Sequence, residues 1–155
     1  MICLVAGRRE PGTRRWQAWV EKHITNPPVR AALRLGVAPR AFALLETTGR
    51  RSGRRRLTPV GNGLEGNIFW LVSERDHAAG YVRNLVSDPY VRLKVGRRWY
   101  SGRATVLPED DGMARRVRID HRNGVVGRLD GVVFRANASS APLTVRIDLN
   151  GGEDR

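Results

Sequence analysis

Residues 41–62 read Ala41-Phe42-Ala43-Leu44-Leu45-Glu46-Thr47-Thr48, then Gly49-Arg50-Arg51-Ser52-Gly53-Arg54, then Arg55-Arg56-Leu57-Thr58-Pro59-Val60-Gly61-Asn62. Two strand-like runs joined by a turn with glycine at each end predict a β-hairpin over Ala41–Thr48 and Arg55–Asn62. Further runs of the same texture follow at Asn67–Ser73, Tyr90–Val95, Arg98–Leu107 and Leu143–Leu149. Leu64–Gly66 supplies a turn, and Gly96-Arg97 a two-residue hairpin connection. The last run alternates, with Leu143, Val145, Ile147 and Leu149 on one face and Thr144, Arg146 and Asp148 on the other. No strand–helix–strand alternation occurs, so about six antiparallel strands in an α+β barrel are expected rather than a doubly wound sheet.

Helices flank and interrupt the strands. Trp16, Trp19, Val20 and Ile24 fall on one stripe of an amphipathic helix that Pro27 and Pro28 end. A second short helix fits Pro28 to Gly36. Residues 1–40 thus form a helical extension, 41–149 the barrel domain and 150–155 a tail. The two tryptophans suit a hydrophobic groove of the domain or a dimer mate, and peripheral membrane contact is the competing role. Helices are also expected at His77–Val86 and Asp110–Ile119. From Asp120 to Pro142 the pattern weakens into Gly, Asn, Ser and Val, which predicts a mobile loop or lid.

A chain of 155 residues fits one domain, at ~100 to 200 residues per domain. Its net charge is +13, and Lys22 and Lys94 are the only lysines, so the cation is almost entirely guanidinium. A GC-rich genome would enrich Arg over Lys as well, which makes clustering more telling than the total. Cys3 stands alone and the three histidines are scattered, which points to a cytoplasmic protein with no metal site. The early apolar run Ile2–Ala6 is too short for a signal core or a membrane span.

The densest cluster lies in the first hairpin. Gly49 and Gly53 free the backbone to expose N–H groups, and with the forks of Arg50 and Arg51, Ser52 and the returning Arg54, Arg55 and Arg56 they form a nest for phosphate. Neither a P-loop nor a Gly-x-Gly-x-x-Gly dinucleotide signature is present.

Leu44-Leu45-Glu46-Thr47-Thr48-Gly49-Arg50-Arg51-Ser52-Gly53, Thr58-Pro59-Val60, Trp70-Leu71-Val72-Ser73-Glu74, Tyr81-Val82-Arg83-Asn84-Leu85 and Asp88-Pro89 together strongly resemble the deazaflavin-dependent nitroreductase family. These are actinobacterial split β-barrel oxidoreductases with an FMN-binding-like fold that use coenzyme F420. The likeness covers about Asn26 to Leu107, and Leu143–Leu149 looks like the family's final strand. It implies that Arg50, Arg51 and Arg56 hold the cofactor's phosphate and oligoglutamate tail, with Gly49, Ser52 and Gly53 shaping the turn. It also implies that Thr58, Pro59, Val60, Leu71, Val72, Ser73 and Glu74 surround the deazaflavin ring. Tyr81 stands where relatives carry a Trp and is a stacking candidate, while plain core packing is its ordinary role. Asn84 is expected to tie helix to strand.

The family's nitroreductases place C-terminal tyrosines over the substrate. Between Asp120 and Pro142 this chain has none and offers only His121 and Phe134. The expected acceptor is therefore a quinone, an enone or another activated small molecule, with His121 a weak proton donor. Hydride chemistry belongs to the cofactor, so no triad or carboxylate pair is needed. A homodimer follows by analogy with other split barrels. The rival readings are an FMN-binding barrel, a non-catalytic F420 carrier and, last, a nucleic-acid-binding module, which would call for aromatics interleaved with the basic run.

Overall fold

The computed structural model describes Leu35 and residues 40–138 and 141–153. The two N-terminal helices expected before residue 40 lie outside the described residues.

The chain forms β1 (Phe42–Thr48), β2 (Arg55–Gly61), β3 (Leu64–Glu65), β4 (Ile68–Ser73), a 3-10 turn (Asp76–Ala78) and α1 (Gly80–Ser87). It continues through β5 (Tyr90–Val95), β6 (Arg98–Leu107), α2 (Gly112–Arg122), α3 (Gly124–Asn137) and β7 (Leu143–Glu153). The strands of the described residues join one antiparallel sheet in the order β2-β1-β5-β6-β7-β4-β3, so among those residues β2 and β3 are its end strands. The sheet curls around a core that includes Ala43, Leu45, Phe69, Leu93, Val145 and Ile147, the inward set of alternate positions. This is the expected α+β split barrel.

Several bounds differ from expectation for identifiable reasons. The sheet has seven strands rather than about six, because Leu64 and Glu65 pair with Phe69 and Ile68 and leave Gly66, at φ 59°, to make the turn. The last strand runs on to Glu153, opposite Trp99, after a register shift between Tyr100 and Gly102. The Gly96-Arg97 connection is as read, with Val95 opposite Arg98 and Gly96 at φ 60°.

The expected helix at His77–Val86 is split. Ala79 adopts an extended conformation, so a short 3-10 turn precedes α1. The helix expected from Asp110 starts two residues later, because the Asp111 side chain caps it by accepting from the Ala114 N–H at 3.0 Å.

The largest correction concerns Asp120–Pro142. Residues 120–137 are helical rather than a loop: they complete α2 and form α3, which packs on α2. Gly127 and Gly131 face α2 so closely that a methyl group on either would overlap Asp120. The glycines that weaken the helix signal are thus the contact that seats the helix. Val125, Val126 and Val132 face solvent rather than lining a lid, whereas Phe134 is buried.

Candidate functional site

The β1–β2 turn is closed upon itself. Gly49 N–H donates to the Arg54 carbonyl at 2.8 Å, and the N–H groups of Ser52 and Gly53 both donate to the Gly49 carbonyl, at 3.2 and 2.7 Å. Arg54 N–H donates to Ser52 Oγ at 3.3 Å, and Arg50 N–H to Asn84 Oδ1 at 3.2 Å. Within Gly49–Arg54 only the Arg51 N–H has no acceptor among the described residues. The N–H groups expected to form a nest are therefore largely spent on internal bonds, which leaves the guanidinium forks as the open donors of the turn.

Strand register sorts those forks. Thr47 opposes Arg56 and Leu45 opposes Thr58, which puts Arg56 and Thr58 on the barrel-interior face, at the hairpin end of β2. Arg55 sits opposite Thr48 on the outer face, where its Nη1 lies 3.1 Å from Glu46 Oε1. Glu46 also lies 3.7 Å from Arg92, so the outer face matches its charges internally. Arg50, Arg51, Arg54 and Arg56 are exposed and have no carboxylate partner among the described residues. An open cavity of about 260 Å3 adjoins the hairpin, lined among others by Thr47, Thr48, Arg55, Tyr90 and Arg92.

The expected ring-binding walls separate into two groups. Val60, Leu71, Val72 and Ser73 are buried. Leu71 points into the barrel core, while Val72 packs under α2 and α3 with Ile119 and Phe134. Ser73 Oγ donates to the Asp76 carbonyl at 3.0 Å. Thr58, Pro59, Glu74 and Tyr81 keep part of their surface. The Tyr81 ring packs on both core clusters beside it, and its phenol lies within hydrogen-bonding reach of Ser73. Burial raises the phenol's pKa above its ordinary value, with the neighbouring Glu74 adding to the shift. Burial likewise raises the Glu74 carboxyl, against the opposing pull of Arg75 and Arg116. His121 is exposed on the last turn of α2 and lines neither this region nor the hairpin cavity.

Arg116 escapes the sequence reading. It is buried on α2, with Nε 2.8 Å from Asp120 Oδ1, Nη2 on Asp130 of α3 and its guanidinium over the Phe134 ring at 4.3 Å. Asp120 Oδ2 has no partner, and burial raises this carboxyl's pKa despite Arg116. Arg116 also approaches Gly61 of β2 and acts electrostatically on Glu74 and Tyr81, which places a cation between β2 and the end of β4. The available signal was the Arg116/Asp120 spacing of four on a helix.

Solved structures share this architecture at low identity. An F420-H2 dependent reductase superposes with a TM-score of 0.53 at 16% identity, covering 70% of this chain and 95% of that one. A structure described as an F420 reductase gives 0.55 at 14%, covering 81% and 96%. Another, described as a domain-swapped dimer, gives 0.54 at 18%, covering 85% and 98%. None of the curated proteins matches the chain at a significant level. A family model described as F420H(2)-dependent quinone reductase matches residues 12–149, and the narrower nitroreductase label finds no such support. The chain therefore belongs to the F420H(2)-dependent quinone reductase family, oxidoreductases whose cofactor is the deazaflavin coenzyme F420.

Proposed function

We propose that Arg50, Arg51 and Arg56, assisted by Arg54, hold the phosphate and carboxylate tail of F420, and that the enzyme reduces quinone-like, enone or similarly activated small acceptors. The supporting observation is the set of four guanidiniums on one hairpin without a carboxylate partner among the described residues, beside an Arg55 that has one. A phosphodiester followed by several carboxylates needs successive cations, and this donor set fits it. The family's dependence on F420 sets the FMN alternative aside.

When bound, reduced F420 supplies the hydride. The protein's share is positioning and exclusion of water. Asn84 fixes the turn that carries the arginines, and Thr58 and Pro59 offer the partly open surface of β2. Burial keeps the proton on Tyr81 Oη to a higher pH than in a free phenol. A second protomer completing the cleft belongs to the same reading.

Stopped-flow oxidation of enzyme-bound reduced F420 by menadione and by a nitroimidazole tests the acceptor. Faster oxidation by menadione is expected. Faster oxidation by the nitroimidazole overturns the acceptor class, and tight binding with oxidation by neither makes the protein a carrier.

A further inference from the structure

We propose that the outer face of β5 and β6 binds single-stranded nucleic acid. Strand register sets Lys94 opposite Trp99, Arg92 opposite Ser101 and Tyr90 opposite Arg103. On β5 the first members of these pairs alternate with the core residues Val91 and Leu93, so all six side chains share the outer face. Helices α2 and α3 cover that face at β4, where Val72 packs with Ile119 and Phe134. Over β5 and β6 it stays open: Tyr90 is 66% exposed, Arg103 is exposed, and Arg92, Lys94 and Trp99 keep part of their surface.

Rings and cations are interleaved on this face. The Arg92 guanidinium lies 4.7 Å and the Lys94 Nζ 5.9 Å from the Trp99 ring centre, and the Arg103 guanidinium lies 6.0 Å from that of Tyr90. Tyr90 and the partner of Trp99 are four residues apart on β5, which spaces the two rings by ~13 Å. Bases of any sequence stack on such rings while the neighbouring cations take the phosphates. Charge favours that occupant. Lys94 and Arg103 have no carboxylate partner among the described residues, Glu46 is shared by Arg55 and Arg92, and Asp148, opposite Arg103 on β7, is held by Arg146 at 2.7 Å. Asp88 borders the face and accepts from the Tyr90 N–H, yet the cations remain in excess. The register shift between Tyr100 and Gly102 adds a polar recess, because Ser101 and Asn150 line the 260 Å3 cavity together with Tyr90 and Arg92. An acidic polypeptide would use the cations and leave the rings idle, and a second copy would set like charges against each other. The basic turn between β1 and β2 has no aromatic residue, which separates the two surfaces. The inference is independent of how the cofactor binds.

Fluorescence anisotropy of the full-length protein with a labelled oligothymidylate tests this, with unlabelled duplex DNA and poly-glutamate as competitors. Tighter binding of the single strand than of either competitor is expected. Tyr90→Ala/Trp99→Ala should weaken it by roughly tenfold or more at an unchanged melting temperature. Lys94→Gln/Arg103→Gln, at surface positions, should make the slope of log affinity against log salt shallower by about 1.4, at ~0.7 per phosphate contact. This second variant decides the matter if the first loses stability. No binding by the wild type, equal affinity for poly-glutamate, wild-type affinity in the folded ring variant or an unchanged salt slope overturns the proposal. So does binding lost only in Arg51→Ala/Arg56→Ala, which would assign the polyanion to the first hairpin, or a dimer mass that the ring variant alone loses, which would assign the face to a second copy.

Discussion

The Asn84 side-chain amide donates to the Thr47 hydroxyl oxygen at 3.1 Å across a buried contact between α1 and β1. Its other end accepts from the Arg50 N–H, so one side chain fixes both the strand and the turn that follows. Asn84→Ala leaves the buried Thr47 hydroxyl and the part-buried Arg50 N–H without this partner and should cost about 1 to 3 kcal/mol. Thermal unfolding measures that loss, and F420 titration should show weakened affinity as well, because the arginine turn loses its tether. An intact melting temperature would contradict this role.

Arg55 and Arg56 are chain neighbours on opposite faces, and they should respond differently. Arg56→Ala or Arg51→Ala removes a charge-assisted contact and should weaken F420 binding roughly tenfold or more. Arg55→Ala leaves Glu46 to Arg92 and should leave binding close to wild type. Equal losses for Arg55 and Arg56 in fluorescence titrations would refute the facial assignment.

Glycines in two helices should diverge in the same way. Gly131→Ala drives a methyl group into the Asp120 carboxylate, and overpacking of this kind costs about 1 to 3 kcal/mol. At Gly80, which opens α1, an added methyl meets nothing within 4 Å, so Gly80→Ala should stabilise by roughly 0.5 to 1 kcal/mol. Denaturant midpoints of the two variants should move in opposite directions.

Asp110 carries a pH dependence. Arg115 grips its carboxylate at 2.9 and 3.1 Å and lowers its pKa below the ordinary 3.8. A depressed folded-state pKa means stability that is present above the unfolded value and is lost as pH falls through the folded one. Asp110→Asn should therefore flatten the acid limb of the stability profile below about pH 4, by no more than ~1 kcal/mol for this partly exposed pair. Urea midpoints measured against pH check the slope.

Much of this was legible from residue order. Strand-like runs bounded by turn residues placed β1, β2, β4, β5 and β6, and clean alternation placed β7, since a half-buried strand writes its two faces into sequence at a period of two. Asn84 was legible as a tie between helix and strand. Helix α3 was not, since Gly124, Gly127 and Gly131 lower helix propensity, and only the facing helix shows why two of them are needed. The Arg116 network was hidden because Asp130 lies 14 residues away, a separation no local pattern reveals. The turn misled in the opposite sense. Its glycines looked like an open nest, while Arg54 and Gly49 supply the carbonyls that close it.

The position of β2 at the end of the sheet has a consequence for solubility. An end strand offers unpaired backbone groups on which another chain can build a β-sheet, and long apolar edges of this kind seed aggregation. Here the strand opens with Arg55 and Arg56, just after Arg54, and carries Pro59, which lacks an N–H to donate. The arginines assigned to the cofactor thus also repel a second edge. Neutralising them together would remove an anion site and an aggregation guard at once, so a loss of soluble protein in such a variant would report on edge protection as well as on cofactor affinity.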